Sequence, residues 1–228
     1  MSINKMIDHT NLTAYATEED IKKLCEEAKQ YGFSVVCVPL CYVEYAKELL
    51  KKTSVQVCTV VGFPLGNTTS AVKEFEAICA VELGADEIDM VINIGALKDK
   101  KYEYIKREIE EIRDSIGGRV LKVIIEECYL TEEEIIKMIE ICNETFVNYV
   151  KTSTGYGTYG ATTETVSLIK QKSGDLLEIK ASGGIKSISQ VYDLLESGAT
   201  RIGTSSGVKI MEELNNENIW WFKVARIN

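Results

Sequence analysis

A lysine at the end of an apolar strand can serve as a nucleophile, and Lys151 has that setting. Phe146, Val147, Tyr149 and Val150 lead into it, and Thr152, Ser153, Thr154 and Gly155 follow as hydroxyls and a turn. An amine held between low-dielectric walls can lose its proton and attack a carbonyl carbon. A lysine that merely reaches solvent at a strand end reads the same in isolation. More charges lie inside otherwise apolar runs: Asp89 in residues 87–92, Lys122 in 120–125 and Lys180 in 177–182, with Glu126 at a strand end. Strand alternation points each either at a helix layer or into a sheet interior. A charge facing packed helices is costly, so the interior or its mouth is the expected location. A structural ion-pair network there is the plainer reading of the same residues.

Two glycine loops add an anion site. Ser182-Gly183-Gly184-Ile185-Lys186 follows one strand, and Gly203-Thr204-Ser205-Ser206-Gly207 follows the next. Each precedes a helix, where free backbone N–H groups suit phosphate oxygens. Lys186 and the hydroxyls of Ser205 and Ser206 extend the set. Glycines serving only tight turns are the alternative.

An amine, a second lysine, a carboxylate and an anion site together suit imine chemistry on a phosphorylated carbonyl substrate. The amine must be neutral to react, whereas an ordinary lysine near pKa 10.4 is only about 0.1% neutral at pH 7. A second ammonium about 5 Å away, at an effective dielectric near 20, costs roughly 3 kcal/mol, or about two pKa units. Lys180 is suited to supply it, and Asp89 to relay protons.

The elements that must position these residues alternate. Thr17 with Glu18, Glu19 and Asp20 reads as a helix start, Ile21, Leu24, Cys25 and Ala28 as its apolar face, and Gly32 as its stop. Strands are expected at 33–38, 55–61, 87–92, 120–125, 146–151, 177–182 and 201–204, preceded by a weaker segment at 6–10. Helices are expected at 43–52, 70–83, 102–116, from Thr131 through Cys142, 163–172, from Ser187 through Leu195, and at the C-terminus. In the 70–83 helix, Val72, Phe75, Cys79 and Leu83 recur at helical spacing. Thr131/Glu134 and Ser187/Gln190 read as capping boxes. Eight strands with intervening helices imply parallel pairing and a closed (β/α)8 TIM barrel, with an extra N-terminal segment and a short C-terminal tail. An open doubly wound sheet is disfavoured, because no G-x-G-x-x-G follows the first strand. With no linker or low-complexity segment, residues 1–228 read as one domain.

Composition narrows the partners. The 228 residues are 45% hydrophobic and 27% charged, with a net charge of −9. That balance argues against nucleic acid or an acidic membrane surface as the main partner. No apolar run approaches membrane-spanning length and residues 1–8 lack a signal-peptide core, so a cytoplasmic protein is expected. The seven cysteines include no CxxC pair, lie mostly in apolar settings and read as small core residues in a reducing compartment. With one histidine, His9, no metal site is expected.

The chain resembles the 2-deoxyribose-5-phosphate aldolase family of class I aldolases over essentially its whole length. The resemblance rests on Ile7-Asp8-His9-Thr10, residues 57–66, residues 84–97, Lys122-Val123-Ile124-Ile125-Glu126, Val150-Lys151-Thr152-Ser153-Thr154-Gly155 and Lys180-Ala181-Ser182-Gly183-Gly184-Ile185. It implies reversible cleavage of 2-deoxy-D-ribose 5-phosphate to acetaldehyde and D-glyceraldehyde 3-phosphate, with no cofactor and no metal. Lys151 matches the Schiff-base lysine, Lys180 the lysine that perturbs it, and Asp89 the proton-relay aspartate. Gly155, Gly183, Gly184, Gly203, Ser205 and Ser206 match the phosphate loops; Asp8, Cys37, Lys122 and Thr154 match pocket residues. Family habit implies a homodimer. The chain departs from many relatives at Asn11-Leu12-Thr13-Ala14, at Lys186 in place of arginine, and at Tyr156 and Tyr159. Rival readings are another phosphosugar enzyme on the same barrel, such as an isomerase, and a non-catalytic phosphosugar-binding protein.

Overall fold

Short β-rich runs alternate with amphipathic ones, and in the computed structural model they form, among the described residues, eight strands and nine α-helices. The described residues are 2–224, with side chains described through residue 216. The strands are β1 Ile7–Thr10, β2 Val35–Cys37, β3 Gln56–Val61, β4 Glu87–Val91, β5 Val120–Ile124, β6 Tyr149–Lys151, β7 Glu178–Ser182 and β8 Arg201–Thr204. The helices are α1 Glu18–Tyr31, α2 Val43–Leu50, α3 Ser70–Glu82, α4 Ile94–Lys98, α5 Tyr102–Ser115, α6 Glu132–Glu144, α7 Thr163–Lys172, α8 Ile188–Glu196 and α9 Gly207–Val224. All neighbouring strands are parallel and β1 pairs with β8, closing the barrel in sequence order. The weak first segment is a full member, with Ile7, Asp8 and His9 buried.

The helix signals hold at the caps. Thr17 and Asp20 form a capping box at α1, and Gly32 ends that helix in the left-handed conformation at φ 69°. Thr131 and Glu134 form a second box at α6. At α8 Ser187 caps through the N–H of Gln190, but the Gln190 side chain accepts from the N–H of Lys186 rather than completing a box.

Three expectations fail locally. Helix α3 does not bury Val72 and Phe75; these are 46% and 66% exposed, and Lys73, Ala77 and Ala80 face inward. The reason is an ion pair: Lys73 bonds Glu108 of α5 at 2.9 Å and the Val91 carbonyl at 2.8 Å, with both charged side chains fully buried. Phe146 lies outside β6, in an exposed turn at φ 53°. The short α4, capped by Asn93, was not expected from periodicity because five residues show less than two turns. The Trp220-Trp221-Phe222 side chains lie outside the described ones.

Alternation along the strands produces two interiors. In β4, Ile88 and Met90 turn outward into the main apolar core between strands and helices, and Glu87 and Asp89 turn inward. Val123, Val150, Ile179 and Ile202 join the outer core in the same way. The barrel's own interior holds a small apolar cluster, Val35, Cys37 and Cys58, and the apolar pair Val91 and Ile124, beside a buried set of charged side chains. Stability comes mainly from the outer layer, which leaves the barrel axis free to carry charge.

Candidate active site

Barrel enzymes place their chemistry at the C-terminal ends of the strands. Here those ends surround a cavity of about 710 Å³. Beneath its floor lies a buried charge cluster. Asp89 is its hub: Oδ2 accepts from Lys151 at 2.9 Å and Lys180 at 2.8 Å, and Oδ1 from Lys122 at 2.7 Å. The Cys58 thiol also donates to Oδ1 at 3.1 Å. Lys180 additionally bonds Asp8, whose other oxygen accepts from Arg201 at 2.9 Å. Glu87 pairs with Lys122 at 2.5 Å and Arg201 at 3.5 Å. Register explains the assembly: Asp89 is level with Lys122, Lys151 with Lys180, and Lys180 with Arg201 across adjacent strands.

Burial sets the electrostatics. Burial alone would raise the Asp89 carboxyl, but Lys122, Lys151 and Lys180 outweigh it and hold it well below the usual carboxylate range. Asp8 is lowered in the same way, with burial opposed by Lys180, Lys122 and Arg201. Burial would lower Lys180, but Asp8 and Asp89 reverse the sign and raise it. Four cations (Lys122, Lys151, Lys180, Arg201) therefore face three carboxylates (Asp8, Glu87, Asp89), a surplus of one positive charge.

Lys151 is the member of that cluster on the cavity wall. Lys122, Lys180, Asp89, Asp8 and Cys37 are brought together below it. Cys37, Cys58 and Asp89 place three donor atoms within 4.8 Å of one another. A cation entering there would meet three ammonium groups on the same carboxylate, so the trio does not suit a metal.

The glycine loops that follow β6, β7 and β8 form the adjoining wall. Gly155, Gly183, Gly184, Lys186, Gly203 and Ser205 all line the cavity, as does Thr154. Ser206 sits behind it, its N–H bonded to Thr204 Oγ1 at 2.9 Å. Gly203 serves a second need: a Cβ there would lie 3.0 Å from Lys180 Cε, so a larger residue would crowd the Lys180 stem. The departures at 11–14 and at Tyr156 are linked, since the Tyr156 hydroxyl donates to the Leu12 carbonyl at 2.6 Å. Tyr156 also meets Phe63 edge-on at 5.5 Å between centroids. The two loops thus form a strap across one side of the mouth.

Sequence reasoning missed Glu87, Cys58 and Arg201. Glu87 was legible, because two residues before Asp89 on one strand is the same face. Arg201, first residue of β8, looked like a strand boundary.

Glu127, just after β5, is 1% exposed, and neither carboxylate oxygen has a hydrogen-bond partner at good geometry. Burial pushes its carboxyl up to about 7, against a smaller opposing pull from Thr162 and Thr165 near the start of α7. A raised carboxyl binds its proton more tightly in the folded state. The resulting stability is complete below the unfolded value of 4.5 and is lost as pH rises through about 7. Glu127→Gln should therefore gain about 2–3 kcal/mol on the parent between pH 5 and pH 8. Denaturant midpoints at the two pH values check this; a constant difference contradicts it.

The barrel, the charge cluster under its mouth and the glycine loops beside it define a (β/α)8 enzyme with its chemistry at the strand ends. Residues 3–213 match the DeoC/LacD family aldolase pattern. A deoxyribose-phosphate aldolase from Thermococcus gammatolerans is 56% identical over 220 residues, covering 95% of this chain and 98% of that one. The solved structure titled "QR15, an Aldolase" superposes with a TM-score of 0.92 at 40% identity, covering 96% of this chain and 98% of that one. The tetrameric deoxyribose phosphate aldolase of Aeropyrum pernix gives 0.87 at 34% identity, covering 93% and 91%. The chain belongs to the DeoC/LacD aldolase family. It is an aldolase, a lyase acting on a carbon–carbon bond.

Proposed function

We propose that the reaction is reversible cleavage of 2-deoxy-D-ribose 5-phosphate to D-glyceraldehyde 3-phosphate and acetaldehyde through an imine on Lys151. The observation that carries this is the placement of Lys151, alone among the buried cluster's cations, on the cavity wall. The cluster's surplus positive charge is relieved when one amine loses its proton, and Lys151 is the amine a substrate can reach.

In the forward direction the neutral Lys151 amine adds to C1 of the open-chain sugar, one proton is taken up and water leaves, giving a protonated imine. Loss of the C3 hydroxyl proton breaks the C2–C3 bond; the electron pair moves into the imine, leaving an enamine, and glyceraldehyde 3-phosphate departs. A proton returns to C2, and water then releases acetaldehyde and the free amine. Asp89, bonded to Lys151, holds the amine in place and accepts or returns protons, directly or through water. The phosphate is bound by the Gly183-Gly184 and Gly203–Ser205 loops with Lys186, 5′ to the reacting carbons. Asp8, Cys37 and Lys122 support the floor. Incubating the protein with deoxyribose 5-phosphate should yield acetaldehyde and glyceraldehyde 3-phosphate in equal amounts; absence of both overturns the reading.

Lys180 tests the electrostatic part. Lys180→Leu removes the surplus charge while Asp89 keeps its bonds to Lys122 and Lys151. Cleavage kcat/KM at pH 7 should fall about 10–100-fold, matching roughly 1–3 kcal/mol of lost charge repulsion. An unchanged rate contradicts the charge argument.

Among the described residues no helix is long and apolar enough to cross a membrane, and all seven cysteines are free. Both fit a cytoplasmic setting. A homodimer is the assembly we expect, with the exposed Val72 and Phe75 on α3 a surface a second copy could cover; sedimentation velocity reads this directly.

A further inference from the structure

Glu126 stands outside the reacting groups, yet its backbone and side chain are both constrained. It follows β5 at φ 53°, in the left-handed region that a residue with a Cβ rarely adopts. Its side chain is buried, and its carboxylate accepts the backbone N–H of Thr154 at 3.1 Å and the Thr154 hydroxyl proton. Backbone closes over it from the other side: a Cβ on Gly157 would lie 3.2 Å from Glu126 Oε1 and 2.4 Å from Cys128 Sγ.

Thr154 lines the cavity, as Lys151 does. A hydroxyl has one proton and two lone pairs. The Thr154 proton goes to Glu126, and one lone pair accepts the Tyr156 N–H at 3.0 Å. One lone pair remains for a ligand. We propose that Glu126 is a positioning residue that fixes Thr154 as a hydrogen-bond acceptor, so that the site selects a substrate hydroxyl able to donate. This rests on the aldolase reading above. In that substrate both hydroxyls of the open chain belong to the glyceraldehyde 3-phosphate half; the acetaldehyde half has none.

Glu126→Gln reverses the polarity. The amide oxygen must keep the Thr154 N–H, which leaves the NH2 group facing the hydroxyl. The Thr154 hydroxyl then accepts from Gln and from Tyr156, and offers its proton where it offered a lone pair.

The test compares two rates on each protein: cleavage of deoxyribose 5-phosphate, and exchange of the acetaldehyde methyl hydrogens for deuterium in heavy water. Exchange runs through the Lys151 enamine with no substrate hydroxyl present. In Glu126→Gln the ratio of cleavage kcat/KM to exchange should fall about 10–100-fold; an unchanged ratio overturns the proposal. Should that variant not fold, Thr154→Val removes the same acceptor and must lower the ratio similarly, and an unchanged ratio there overturns it equally. With both variants in hand, Glu126→Gln should change the ratio by less than about 3-fold in the Thr154→Val background. Full multiplication of the two losses means that Glu126 acts elsewhere. Wild-type protein that neither cleaves nor exchanges defeats the aldolase reading itself, and this assignment falls with it.

Discussion

Lys151→Met should lower the cleavage rate by about four orders of magnitude or more while leaving the barrel folded. The rate expectation follows from removing the cluster amine that lines the cavity and is placed to hold the substrate covalently; loss of a covalent nucleophile has effects of this size. The folding expectation follows from charge. Without Lys151 the cluster has three cations for three carboxylates, and Asp89 retains Lys122 at 2.7 Å and Lys180 at 2.8 Å. Methionine also fits a site only 3% exposed without adding a polar group. Steady-state rates and thermal melts on the same preparations check both halves. Residual activity within about tenfold of the parent would place the nucleophile elsewhere.

Asp89→Asn should differ in its profile, with a large loss of stability as well as of rate. Asn keeps the shape but removes the negative charge that three ammonium groups share in a fully buried site. Stripping one partner from a buried ion network costs about 3–5 kcal/mol, because the remaining charges stay buried without compensation. For a protein of this size that lowers the melting temperature by roughly 10 °C. The pH dependence has a fixed sign. Asp89 is held below the ordinary carboxylate value, so its stabilising contribution is present above about pH 4 and lost as pH falls further. The gap in stability between the parent and Asp89→Asn should therefore narrow in acid. Equal stability at neutral pH would mean that the hub carries no net charge interaction.

Much of this was legible in the chain, for identifiable reasons. Lys122, Lys151, Lys180 and Asp89 are conspicuous because each interrupts an apolar run, and period-two alternation then forces them to one side. Caps at Thr17 and Thr131 mark helix starts by local hydrogen bonding alone, and the structure keeps them. What was hidden depends on contacts distant in sequence. The inward face of α3 is chosen by the Lys73–Glu108 pair across to α5, which no helical periodicity records. That Asp89 lies between Lys151 and Lys180, so that their repulsion acts through a shared carboxylate, required the closed register of four strands. The strap between Tyr156 and Leu12 joins residues 144 apart, and it turns two separate departures in sequence into one structural feature.

Covalent trapping at Lys151 is the most direct measurement. The protein is incubated with acetaldehyde, reduced with borohydride, digested and weighed peptide by peptide. The account predicts one ethyl adduct, confined to the peptide containing Lys151 and absent from those containing Lys122, Lys180 and Lys186. An adduct on Lys180 instead, or none under conditions that label a control class I aldolase, contradicts it.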